Sequence, residues 1–211
     1  MAAVFVSSAS ARRLKMNPIE RMKKFWRSHS ATAFLWDFGL SRKGVMATEF
    51  ALIAPIMISM YFGVTELSDG YTAKGKVTVV ASTAADLTAQ EQAVCDAEMN
   101  DIFAALGAIM FPYPTNNMKI KISSLVDDGN GGVKVAWSDA LNTVARAVNS
   151  TVAIPAGLVT QGSGGSVIFA EVSYDYSSPA GYLIHGSIPL SDQFYLHPRR
   201  AAQITRSANN C

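Results

Sequence analysis

The apolar residues of the chain are most concentrated at residues 45–64, which read VMATEFALIAPIMISMYFGV. As an α-helix this run rises about 30 Å, which matches the hydrocarbon thickness of a bilayer. Its polar interruptions are Thr48, Glu49 and Ser59, of which only Glu49 is ionisable. A charge inside a spanning segment costs about 2.5–3.5 kcal/mol unless it is paired. A core helix of a soluble protein is the alternative, but such a helix seldom stays apolar on every face for this length. The run therefore predicts a transmembrane helix with a carboxyl group near its start.

Helical patterns continue beyond this run. Apolar positions at intervals of three and four residues extend from Leu67 to Thr88 and predict that the helix projects out of the membrane. A clearer amphipathic pattern covers residues 91–110 and predicts a second helix. The sequence FPYP follows it, and its two prolines end a helix.

The period changes to two from Met118 onward, where apolar residues alternate with lysines. The turn-forming sequence DDGNGG at residues 127–132 is followed by a second alternating stretch, so a β-hairpin is predicted. Further elements are predicted at three places, a short helix at residues 142–148 and strands at residues 167–176 and 186–196. The fold class is therefore α+β, with a long N-terminal transmembrane helix that continues outside the membrane and then a small antiparallel sheet.

The net charge of the chain changes sign at the start of this apolar run. Residues 1–44 carry a net charge of +7 and the rest of the chain carries −5. Basic flanks stay on the cytoplasmic side of a membrane helix. Three parts are predicted: a basic cytoplasmic leader (1–44), a transmembrane helix (45–64) and an α+β domain outside the cytoplasm (65–211). Within the leader, residues 16–43 contain short aromatic clusters suited to a membrane surface.

The start of the apolar run carries a specific pattern. The signature G-x-x-x-x-E-F-A-L-x-x-P is filled by Gly44, Glu49, Phe50, Ala51, Leu52 and Pro55. Residues 42–85, about a fifth of the chain, resemble the TadE-like family, which comprises pseudopilin-type proteins of the bacterial tight-adherence (Flp) pilus assembly machinery. The resemblance implies a periplasmic location and a pilin-like arrangement for the α+β domain.

The resemblance also implies roles for individual residues. A prepilin peptidase would cut between Gly44 and Val45 and leave a free ammonium group on Val45. Glu49 lies one helical turn further on, where the ammonium group of a neighbouring subunit can neutralise it. Gly44 lacks a Cβ, so its backbone is expected to lie extended against the peptidase. Phe50 and Pro55 are expected to join Glu49 in subunit contacts, with a bend at Pro55.

The two cysteines, Cys95 and Cys211, both follow the predicted span. Disulfides persist in the compartment where this part of the chain is expected. A bond between them would close a long loop and stabilise the domain by about 2–4 kcal/mol. Free thiols, or a bond from Cys211 to another chain, are the alternatives.

Motifs for catalysis or ligand binding are weak. His29, His185 and His197 lie in unrelated contexts. In QGSGG at residues 161–165, glutamine stands where a nucleophile elbow needs its first glycine. The acidic sequence at residues 127–132 lacks the glutamate that a calcium loop requires at its end. We therefore predict no catalytic residue, no metal site and no cofactor.

These observations favour a noncatalytic minor pilin or pseudopilin-like component of a tight-adherence type IV pilus or a related secretion system. Its expected site is the bacterial inner membrane, with the N terminus in the cytoplasm, or the extracellular fibre. Its expected partners are other pilins and pseudopilins, the assembly machinery and prepilin peptidase. Nucleic acid is not expected, because the basic leader lacks a recognisable binding fold. The alternative is an unprocessed, membrane-anchored module that binds an envelope or adhesive ligand through aromatic residues such as Tyr174, Tyr176, Tyr182 and Tyr195.

Overall fold

A computed structural model describes residues 42–159, 162, 164–182 and 184–208. The chain forms two compact units, Met1–Ser59 and Met60–Cys211. The helices and strands are α1 (Arg42–Ala89), β1 (Ala93–Val94), α2 (Asp96–Met110), a 3-10 helix (Thr115–Asn117), β2 (Met118–Asp127), β3 (Val133–Leu141), β4 (Ser166–Ser177), β5 (Ser187–Leu196) and β6 (Thr205–Arg206). Most of the predicted leader, including His29, lies outside the described residues, as do Ser163 and Cys211.

Helix α1 is 48 residues long and contains both the predicted membrane run and its predicted extension. In its second half the buried positions recur every three or four residues, as at Ala73, Val77, Val80 and Ala84. This spacing places them on one face of the helix. The predicted extension to Thr88 is therefore confirmed.

A four-stranded antiparallel sheet follows in the order β3-β2-β4-β5. The predicted hairpin is formed by β2 and β3, and the two later predicted strands are β4 and β5. Alternate residues of the central strands join both helices in the larger hydrophobic core. Its fully buried large side chains include Val77, Val80, Leu106, Met110, Ile120, Ile122, Ile168 and Tyr174. The α+β prediction is confirmed.

The second helix begins later than predicted, at Asp96 instead of residue 91. The preceding residues form β1, which pairs in parallel with β6. Cys95 is the N-cap of α2, and its backbone N–H donates to Glu98 Oε2 at 3.1 Å. This capping hydrogen bond supplies an acceptor for one of the backbone N–H groups that have no intrahelical partner at the start of the helix.

The predicted helix at residues 142–148 is wrong. Asn142 and Asn149 have φ angles of 55° and 66°, and asparagine is one of the few residues that tolerates this left-handed region. The Asn142 side chain donates to the Met118 carbonyl at 2.8 Å, which holds the backbone in that conformation. Arg146 meets Glu171 of β4 through a two-pronged ion pair, with its closest N–O distance at 2.7 Å. The segment is thus a loop tied to the sheet.

The acidic sequence at residues 127–132 forms the predicted turn. Asp127 Oδ1 accepts from Gly129 N–H, and Asp128 Oδ1 accepts from the N–H groups of Asn130 and Gly132. Backbone hydrogen bonds from Gly162 and Gly129 lower the pKa of Asp127. Across the described ranges, no group of three or more His, Cys, Asp and Glu side chains has a geometry that would hold a metal ion.

Candidate functional site

Apart from Phe62, which is partly buried, the large side chains in the apolar half of α1, residues 45–64, are exposed on every face of the helix. Their exposed fractions run from 51% at Ile53 to 75% at Leu52. Consecutive helical residues point about 100° apart, so exposure at Ile56, Met57 and Ile58 covers most of the circumference. Within the described part of the chain, α1 is the one helix long and apolar enough to cross a membrane. A surface of this kind requires an apolar environment from outside the chain.

The predicted cleavage position lies in the first turn of α1, because the helix begins at Arg42. Gly44 is therefore helical in this structure, and an extended backbone at Gly44 against the peptidase remains a prediction. Thr48 Oγ1 donates to the Val45 carbonyl at 2.8 Å, which adds a local contact to this turn. The first N–H groups of a helix lack intrahelical acceptors, so its first turn is the least costly part to unwind for a protease.

Val45 and Glu49 are four residues apart and so share a face of the helix. Both side chains are exposed, as is that of Phe50. All the residues expected to act in processing and subunit contact lie on this one helical segment. An exposed carboxylate surrounded by exposed apolar side chains is suited to pairing with a cation from another molecule.

Helix α1 continues on both sides of Pro55. The proline ring removes the N–H that would bond to the Ala51 carbonyl. Four residues later, Ser59 Oγ donates to the Pro55 carbonyl at 2.8 Å. The bend expected at Pro55 remains a prediction.

Cys95 is buried at the start of α2, in the larger folded unit. Its predicted partner, Cys211, lies outside the described residues, and the Cys95–Cys211 bond remains a prediction. Its test is the mass of the alkylated protein before and after reduction.

Two carboxylates that were not singled out in the sequence, Glu66 and Asp69, form a carboxylate pair just after the apolar run. Glu66 is only 3% exposed, and its two oxygens accept from the backbone N–H groups of Tyr182 and Ile184 at 2.6 and 2.9 Å. The first member of the pair is thus a buried carboxyl group that accepts hydrogen bonds from the backbone of the loop between β4 and β5. Such charge-assisted hydrogen bonds are stronger than neutral ones.

Asp69, the second member of the carboxylate pair, joins two tyrosines. Its Oδ1 accepts from Tyr113 Oη at 2.8 Å and its Oδ2 accepts from Tyr176 Oη at 2.9 Å. Burial, followed by the hydrogen bond to Asp69, raises the pKa of Tyr176 to about 12, and the same causes raise the pKa of Tyr113. Both hydroxyl groups therefore remain protonated donors at neutral pH, and they tie α1 to β4 and to the loop after α2.

The available sequence signal for this pair was two acids three residues apart directly after a membrane run. Their partners were not readable, because Tyr176 and Tyr182 lie more than a hundred residues further along the chain. Of the tyrosines considered for ligand binding, Tyr174 and Tyr176 are buried in the core. Tyr195 stacks on Phe169 with ring centroids 4.5 Å apart, whereas Tyr182 is 62% exposed.

The comparisons with known proteins concern α1. Residues 44–86 match the family model described as TadE-like protein. The match begins at Gly44, covers about a fifth of the chain and ends within α1. It indicates a component associated with a tight-adherence pilus, and the family is a pilus-associated structural family. No curated protein and no solved structure matches the chain. The long apolar helix is consistent with membrane anchoring of such a component.

Proposed function

We propose that the protein is a noncatalytic minor pilin or pseudopilin-like component that acts in assembly of a tight-adherence type IV pilus or a related secretion system. The observation that carries this proposal is the family match over residues 44–86, which begins at Gly44 and includes an exposed apolar helix. In this proposal prepilin peptidase cuts between Gly44 and Val45, and residues 45–64 pass from the membrane into contacts with other pilin helices.

Electrostatics gives Glu49 its proposed role. Cleavage would place an ammonium group on Val45, at the positive end of the helix dipole, where a cation is unfavourable. Glu49 is equally unfavourable in an apolar environment without a cation. Four residues of α-helix rise about 6 Å, so a neighbouring copy shifted by that distance brings its ammonium group level with this carboxylate. One contact between subunits then offsets both penalties, with Phe50 and Pro55 beside it.

Location follows from charge and hydropathy. The leader carries a net charge of +7 and would remain in the cytoplasm. The chain after residue 44 carries a net charge of −5, and its residues 65–211 would lie in the periplasm. Proposed partners are the inner membrane, other pilins and pseudopilins, the assembly machinery and prepilin peptidase. The packing of the helix, not a chemical reaction, would be its contribution to the fibre or its base.

The test is pilus assembly in the native host after deletion and complementation. We expect deletion to abolish pili, wild-type chain to restore them and Glu49→Gln to restore few, because the amide cannot pair with the ammonium group. Glu91→Gln, the same chemical change outside the apolar run, is the matched control and should restore pili fully. The measurements are electron microscopy of cells and the pilin content of the sheared fraction.

The same strains distinguish the pseudopilin proposal from the alternative function, an anchored binding module. Normal pili in the deletion strain, together with lost adhesion to a surface, would contradict the pseudopilin proposal and favour an anchored binding module. Full restoration of pili by Glu49→Gln would contradict the role of Glu49 while leaving the assembly role in place.

A further inference from the structure

We propose that the larger folded unit makes a second contact with the lipid surface, next to the point where α1 leaves the membrane. The contact is a proximal patch of exposed apolar side chains, defined as Leu67, Tyr71, Phe111, Tyr182 and Ile188. The occupant is the headgroup layer of the membrane leaflet at which the apolar run ends. This inference rests on the proposed membrane anchoring of residues 45–64.

The position of Tyr182 beside the apolar run is the first observation that supports this contact. The last residues of the apolar run, from Met60 onward, belong to the same unit as the sheet. Phe62 lies in that run, and its ring centroid is 4.6 Å from that of Tyr182. Tyr182 therefore lies at the depth of Phe62, and more than half of its surface is exposed. Tyrosine is enriched at the boundary between lipid and water, where its ring contacts apolar chains and its hydroxyl contacts water.

Asp69 places the rest of the patch at the same end of the unit. Asp69 is five residues beyond Val64, a rise of about 7.5 Å, which is close to the thickness of one headgroup layer. It holds Tyr113, which lies two residues after Phe111, and Tyr176, which pairs across the sheet with Ile188. The loop after α2 and the loop before β5 therefore both reach the level where α1 leaves the membrane.

The distribution of exposed side chains supports the same assignment. Beyond the apolar run, the described residues of this unit expose the large hydrophobic side chains Leu67, Tyr71, Val79, Phe111, Val144, Val148, Tyr182, Ile188 and Phe194. Five of these nine form the proximal patch. Tyr71 and Phe111 are its most exposed members, at 82% and 78%. Exposure of such large apolar groups, gathered at one end beside a membrane run, is favourable when lipid covers them.

Two backbone N–H groups and two carboxylates near the patch form hydrogen bonds within the protein. The loop that carries Tyr182 would otherwise present the N–H groups of Tyr182 and Ile184, which Glu66 accepts instead. An unpaired backbone donor costs several kcal/mol in a medium without water. Glu66 is itself buried, and both oxygens of Asp69 accept hydrogen bonds from tyrosines. Hydrogen bonds within the protein to both carboxylates thus lower the cost of bringing this end of the unit close to lipid.

Lipid photocrosslinking on the full chain tests the inference. The chain is reconstituted in vesicles of phosphatidylethanolamine and phosphatidylglycerol that contain a tagged tracer phospholipid. The photoreactive residue p-benzoylphenylalanine replaces Phe111 or Tyr182, one per variant. Tyr61, exposed within the apolar run, is the positive control position. Phe194, an exposed aromatic residue of β5 outside the patch, is the matched control.

We expect tagged lipid adducts at Phe111 and Tyr182 that approach the yield at Tyr61 and exceed the yield at Phe194 several-fold. Adducts at Tyr61 together with background yield at both patch positions would overturn the second contact and leave the membrane anchor standing. Background yield at all four positions would overturn the anchor and the patch together. Adducts to a second copy of the chain at the patch positions, in place of lipid, would also overturn the inference.

Discussion

Within α1, residues 45–64 expose large apolar side chains, whereas residues 73–89 bury mostly small ones. The exposed set includes leucine, isoleucine, methionine and aromatic residues on every face. The buried set is confined to one face and comprises Ala73, Val77, Val80, Ala81, Ala84, Ala85, Thr88 and Ala89. Small side chains let other elements approach the helix axis closely, so this half is built for contacts within the protein. Side-chain size and period, more than hydrophobicity itself, separate the two halves.

Substitution of an exposed apolar residue by arginine should have the largest effect, and the effect should differ most between the two halves of α1. Ile56 and Val79 are both exposed apolar residues of α1, at 66% and 49%. We expect Ile56→Arg to oppose membrane insertion by about 2.5–3.5 kcal/mol, because the guanidinium group would lie in lipid. Val79→Arg should change stability by less than about 0.5 kcal/mol, because its side chain would lie in water. The measurement is the fraction of each variant that resists carbonate extraction from membranes. Equal extraction of the two variants would remove the distinction between the halves.

A larger side chain should destabilise the protein when placed in the second half of α1 and be tolerated in the first half. Ala84 is fully buried in the second half, and Ala51 is exposed in the first. We expect Ala84→Leu to destabilise the folded unit by about 1–3 kcal/mol, because a packed core has no room for the added methyl groups. Ala51→Leu should leave its stability unchanged. Denaturant unfolding in detergent measures both, followed by the fluorescence of the buried Trp137 in a chain that also carries Trp26→Phe and Trp36→Phe. A stable Ala84→Leu variant would indicate a loosely packed second half.

A smaller, pH-dependent effect is expected where β5 meets the second half of α1. The hydrogen bond from Thr78, and then that from Lys74 at 3.0 Å, hold the pKa of Asp192 below its ordinary value of 3.8. The charged form is therefore favoured by folding. Its contribution is complete above the ordinary pKa and is lost as the pH falls through the folded value.

Asp192→Asn should accordingly lower stability at neutral pH and flatten its decline below about pH 4. Glu49→Gln, a carboxyl-to-amide change in the apolar half, is the control and should leave this profile unaltered. Thermal unfolding in detergent from pH 3 to pH 7 measures the difference. The wild-type decline persisting in Asp192→Asn would assign the acid sensitivity to other carboxylates.

Long helices and strands were predictable from the sequence because their buried residues recur at a regular spacing, so many positions indicate the same element. The second half of α1, the hairpin of β2 and β3, and β4 were all identified in this way. Short or singular features were not. The two-residue strand β1 is too short for a period, and the left-handed Asn142 replaced a predicted helix with a loop because one side chain binds the Met118 carbonyl.

The candidate site shows the same division. Gly44, Glu49 and Pro55 were recognisable because their spacing lies within one helix. The carboxylate pair was missed because its meaning depends on residues brought together by the fold. Glu66 alone resembles any acid at the end of a membrane helix, and its partners are the backbone groups of a distant loop.

The most direct test of the proposed function is the N-terminal residue of the membrane-resident protein, determined by mass spectrometry with the native prepilin peptidase present and absent. We predict a start at Val45 with the peptidase and an intact leader without it. Gly44→Val should block this processing, whereas Gly75→Val should not, because the space around Gly75 is open. An N terminus that precedes Val45 in both strains would contradict the pseudopilin assignment.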